Sequence, residues 1–120
     1  MAAAVKRKLS GSTDGKAIKI TTTATPGDTI HTAVAGTTAG TFDEIWLWAY
    51  NGHTANVVLT IEFGGVTVPD QNIVVTIPYK AGLVPIIPGL ILQNGMVVKA
   101  FSSVANVITL TGFVNAITDA

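Results

Sequence analysis

A rhythm constrains this chain more than any single motif. Along its 120 residues no apolar stripe of helical period persists for three turns, while short alternating runs recur at intervals of roughly ten residues with turn residues between them. Such runs suit strands. Threonine is dense across residues 21–41, and β-branched side chains, stiff at their first torsion, favour pleated surfaces over helices. We therefore expect an all-β domain: a single antiparallel β-sandwich, jelly-roll or Ig-like, of about eight strands. A small closed barrel fits less well. Pro78, Pro85 and Pro88 lack the N–H that a continuous ladder needs, so any strand in residues 78–92 is broken or lies at an edge.

The longest patterned stretch is residues 42–63, FDEIWLWAYNGHTANVVLTIEF. Two alternating runs flank Asn51-Gly52, a dipeptide suited to a tight reversal, and predict an antiparallel hairpin. Residues 96–103 and 106–114, MVVKAFSS and NVITLTGFV, predict a second hairpin. Alternation puts Ile45, Leu47 and Ala49 on one face of the first run and Glu44, Trp46, Trp48 and Tyr50 on the other. Both faces are apolar. The aromatic face is the sandwich interior, a subunit or partner interface, or a ligand platform, and alternation alone does not choose.

Composition speaks for neighbours. Hydrophobic residues make up 48% and charged residues 12%, about half the charged fraction of roughly 25% in a typical soluble domain. Part of that surface should be covered in use. The seven basic and seven acidic residues are unevenly placed. Lys6, Arg7 and Lys8 sit together, which leaves a net of about −3 on the remainder. We read residues 1–15 as an N-terminal arm and residues 16–120 as the sandwich domain. Residues 1–15 read first as a frayed, solvated tail; the sharper reading lays Lys6, Arg7 and Lys8 on an acidic neighbour or on nucleic acid, and three charges with no interleaved aromatic make a weak case for nucleic acid.

Several chemistries find no material. The chain has no cysteine, which removes disulfides, thiolate metal sites and cysteine nucleophiles. His31 and His53 show no ligand spacing with each other or with Asp28, Asp43 or Glu44, so no metal or cofactor is expected. Asp43 and Glu44 are adjacent and point to opposite sides of a strand, the wrong arrangement for two acids sharing a substrate. The serines lack a GxSxG elbow, and no phosphate-binding glycine loop occurs. We expect no enzyme. The start, MAAAVKRKL, has no apolar run behind its basic cluster, and the most apolar later segment falls short of the roughly 20 residues that span a bilayer. A soluble chain made in a cytoplasm is the expectation.

A small, cysteine-free domain rich in Thr, Ala, Gly and Val, with a basic arm and the segments IWLWAYNGHTANVVLTIEFGG and LQNGMVVKAFSSVANVITLTGFV, resembles the auxiliary virion proteins of tailed bacteriophages, in particular capsid decoration or cement proteins. The resemblance implies a virion β-sandwich that binds outside the shell where major capsid proteins meet, as a homotrimer, with an extended arm along the shell. It carries no residue roles. A head–tail or tail component is the alternative within assembly. From a different class, a carbohydrate-binding module would use Trp46, Trp48 and Tyr50.

Overall fold

The computed structural model describes residues 2–119. Nine strands and no helix lie among them: β1 (Ala2–Lys8), β2 (Ile18–Lys19), β3 (Asp28–Thr32), β4 (Phe42–Asn51), β5 (Val57–Phe63), β6 (Asn72–Ile77), β7 (Val84–Leu92), β8 (Val97–Ser102) and β9 (Ile108–Asp119). One sheet runs β1-β9-β4-β7, with β2 pairing β9 beyond β1; the other runs β3-β8-β5-β6. Every pairing is antiparallel. No described helix is long and apolar enough to cross a membrane.

The pairs β5–β6, β4–β7, β3–β8 and β1/β2–β9 are nested. They form one long antiparallel ribbon closed at residues 64–71, which then wraps so that β4 meets β9 and β5 meets β8. That is jelly-roll topology, the first of the two sandwiches expected. The core between the sheets is built from alternate residues, with Ile45, Leu47 and Ala49 of β4 and Leu110 of β9 facing Leu59 and Ile61 of β5 and Val98 of β8, all fully buried. Each of these leucine, isoleucine and valine side chains contributes about 1.5–3 kcal/mol by leaving water.

The wrapping overturns both expected hairpins. β4 lies in one sheet and β5 in the other, and β8 and β9 are likewise separated. Asn51-Gly52 is an arch between sheets, and neither residue takes the positive φ of a primed hairpin turn. The Asn51 side chain is fully buried. Its Nδ2 donates to the carbonyls of Ala55 (3.0 Å) and Ile77 (2.9 Å), while its Oδ1 accepts the His53 N–H (2.8 Å). It thus ties the end of β4 to the end of β6 across the sandwich, with His53 in the arch between β4 and β5.

Asn94-Gly95 behaves as a tight turn should. Its φ values are 61° and 65°, and the Met96 N–H bonds the Gln93 carbonyl at 3.2 Å, a type I′ reversal. Even there the flanking strands β7 and β8 go to different sheets. Residues 66–68 lie in the β5–β6 connection.

The N-terminal segment also departs from expectation. Residues 2–8 are not a free arm but strand β1, paired with Phe113–Asp119 of the long β9. Beyond it Leu9 is buried in the core and Ser12 is buried, so the domain reaches further toward the N-terminus than residue 16. β9 supplies a backbone ladder there, and its hydrogen bonds outweigh the weak strand preference of an Ala- and Lys-rich segment.

The proline-broken stretch does lie at an edge. β7 closes the first sheet opposite β1, and its register with β4 shifts twice, between Ile45 and Trp46 and between Leu47 and Trp48.

Candidate functional site

Because β4 has neighbours on both sides and its odd residues fill the core, its even residues Glu44, Trp46, Trp48 and Tyr50 face outward, each half-buried. Trp46, Trp48 and Tyr50 keep part of their surface open to solvent on this face. The open question of the two β4 faces is answered here: Ile45, Leu47 and Ala49 are the interior, and the aromatic row is the outside of the first sheet.

The register then adds residues that are distant in sequence. Trp46 lies opposite Phe113, Glu44 opposite Asn115 and Trp48 opposite Thr111. The ring centroids of Trp46, Trp48 and Phe113 are 6.4, 6.2 and 6.0 Å apart, with interplanar angles of 18°, 16° and 28°. Three near-parallel rings at the corners of a nearly equilateral triangle cannot form one column. They lie side by side, like tiles.

Gly89 shows how the first tile is laid. It sits in a bulge of β7 with φ of 83°, and a Cβ built on it would fall 2.8, 3.0 and 3.3 Å from Cζ2, Cε2 and Cη2 of Trp46. Similar distances to three successive ring atoms place that point above the ring face, not beyond its edge. The indole therefore lies down on the β7 backbone, in space that any side chain would take.

Polar groups lock the tiles. One Glu44 oxygen, Oε1, accepts the Trp46 indole N–H (2.8 Å) and the Asn115 amide N–H (3.0 Å). The Asn115 amide first, and the Trp46 N–H second, hold the Glu44 carboxyl below its ordinary value of 4.5. Lys6 reaches across from β1, its Nζ 4.2 Å from the centre of the Phe113 ring, a cation–π contact.

The structure brings Trp46, Trp48 and Tyr50 onto one face and adds Lys6 to it. Arg7 and Lys8 go elsewhere. Lys8 Nζ donates to the Ser12 carbonyl at 3.3 Å, and Arg7 lines a cavity of about 600 Å³ with His31, Asp43 and Thr118. Phe113, Asn115 and Gly89 were not singled out from sequence. Alternation does put Phe113 on the face of Thr109 and Thr111, but only the β4–β9 register shows what it meets.

The cavity holds a buried histidine–aspartate pair. His31 Nε2 lies 2.7 Å from Asp43 Oδ2, and both residues are buried. His31 Nδ1 accepts the Ser10 backbone N–H at 3.0 Å, so Nε2 carries the ring hydrogen and donates it to Asp43. Asp43 also accepts the Val34 N–H at 3.2 Å, and Ser10 Oγ accepts the Thr32 N–H at 2.7 Å. With both ring nitrogens engaged, the imidazole has no lone pair left to take a hydroxyl proton. The cluster joins β3 of one sheet to β4 of the other.

Glu62 has a similar structural part. It is buried on the outer side of β5, where it accepts the Thr25 hydroxyl (2.5 Å) and the Gly27 N–H (2.7 Å) of the loop before β3. Among the described residues no three His, Asp or Glu side chains converge as metal ligands do.

No protein-family model, curated protein or solved structure matches this chain.

Proposed function

We propose that this chain is a structural virion protein that decorates or cements a phage capsid, bridging major capsid proteins on the shell's outer surface as a homotrimer. The observation that carries this reading is the unequal treatment of the two edges of the first sheet. The β7 edge is interrupted by Pro85, Pro88 and two register shifts, the devices that stop stray pairing. The β1 edge has no proline and no register shift along Ala2–Lys8, and residues 3–8 are exposed on both faces.

An open edge strand offers its backbone to a neighbour, and Lys6, Arg7 and Lys8 direct that offer to an acidic one. Large apolar side chains left exposed elsewhere, Val68, Leu83 and Ile91 among them, add area for the same purpose. A part that binds only the assembled shell raises its stability by mass action, without catalysis. Many weak copies sum.

The test is a comparison of shells assembled with and without the protein. Shells lacking it should release their contents at a lower temperature, and light scattering on the purified chain should give a trimer mass. Equal shell stability in the deletion overturns the reading.

A further inference from the structure

We infer that the outer face of the first sheet binds a carbohydrate chain, a sugar ring lying on Trp46 and Trp48 while Glu44, Asn115 and Lys6 take its hydroxyl groups. The C–H side of a pyranose is apolar and faintly positive, and the face of an aromatic ring is negative, so the two attract when stacked flat. Its equatorial hydroxyls then point sideways and need donors and acceptors at the perimeter.

This face has that layout. The two tryptophan ring planes lie within 18° of each other, and the Trp46 indole lies flat over Gly89. Around the rings stand a carboxylate with one oxygen outside the described hydrogen bonds, an amide and an ammonium group. The rings are also held before any ligand arrives. Glu44 clamps the Trp46 N–H, and Phe113 fills the space beside both indoles, so little side-chain freedom is lost on binding.

Area argues against a protein partner here. Four aromatic side chains that are each half-covered leave on the order of 400 Å² in all, whereas a stable protein interface buries about 800 Å² per side. A sugar chain needs no more than the face offers. The site meets the β1 edge only at Lys6, and its rings lie on the sheet face, which a shell-bound copy could turn away to hold glycan.

The chain's two tryptophans both lie in the site, so tryptophan emission reports on it. Titration with maltoheptaose, cellohexaose, chitohexaose and purified bacterial O-polysaccharide should give a saturable change in emission with at least one of them. Calorimetry with that sugar should show Trp48→Ala weakened about tenfold, the loss of one ring contact, and Glu44→Gln weakened by less. Should Trp48→Ala fail to fold, Thr111→Arg crowds the site without removing a ring and should weaken binding similarly. No change with any of the four sugars, together with silence on a glycan array, overturns the inference. So does an oligomer that Trp48→Ala or Thr111→Arg turns into monomer, since the face would then be a subunit contact.

Discussion

The two faces of β4 are both apolar, yet they are made in opposite ways. On the inner face Ile45, Leu47 and Ala49 are aliphatic, without polar atoms, and fully enclosed by the second sheet. The buried polar groups come at the ends, Asp43 bonded to His31 and Asn51 bonded to Ala55 and Ile77. On the outer face three aromatic residues stay half-buried, and the polar Glu44 stands at the end of their row, bonded to Trp46. Aliphatic side chains interlock with whatever faces them, whereas aromatic rings with a polar handle tolerate water on one side. The difference shows which apolar surface this molecule keeps for itself and which it presents.

The sharpest way to break that comparison is Leu47→Ala. A fully buried leucine between two sheets should cost about 2–5 kcal/mol, read as a lower denaturant midpoint at unchanged slope. Asn51→Ala comes next. It leaves the carbonyls of Ala55 and Ile77 without their donor inside the arch, at a cost of about 1–3 kcal/mol, measured in the same titration.

Trp48→Ala removes a larger side chain than either, yet should cost only about 1 kcal/mol, because its contacts are with the Trp46 and Phe113 rings at a half-buried surface. A Trp48→Ala loss larger than that of Leu47→Ala would reverse the assignment of the faces.

The smallest effect belongs to Glu44. Its folded carboxyl is held below 4.5, so its contribution to stability is present above pH 4.5 and fades as pH falls through the folded value. Glu44→Gln should lower stability slightly at neutral pH and flatten that part of the acid-denaturation curve. A variant whose curve overlays the parent's would show that the carboxylate does not hold Trp46.

Much of this could be read from residue order. Alternation located β4, β5 and β8 to within a few residues, found β9 but ended it at residue 114 where the strand runs on to Asp119, and sorted their side chains correctly into two sets. Pro85 and Pro88 marked the edge strand, since a missing N–H tells against a central position wherever it occurs. The errors concern partners. Asn51-Gly52 and Asn94-Gly95 are the same dipeptide, yet one has φ > 0 at both residues and the other at neither. What separates them is a buried contact with Ile77, 26 residues away, which no local pattern contains.

β1 was missed for a related reason. Its own residues are poor strand formers, and it exists because β9 runs on to Asp119 beside it. The aromatic site shows the same split, its tryptophans evident from alternation and its Phe113, Asn115 and Gly89 visible only through register.

By itself, then, the order of residues determined that the chain is all strand, where most strands lie, and which side chains share a face, because a period of two is a property of the local backbone. The fold alone decided which face turned inward, which strands became neighbours, and that Lys6, Glu44, Gly89 and Phe113 should surround two tryptophans. Those outcomes depend on contacts between residues far apart in the chain, and such contacts form only when two sheets close over a common core.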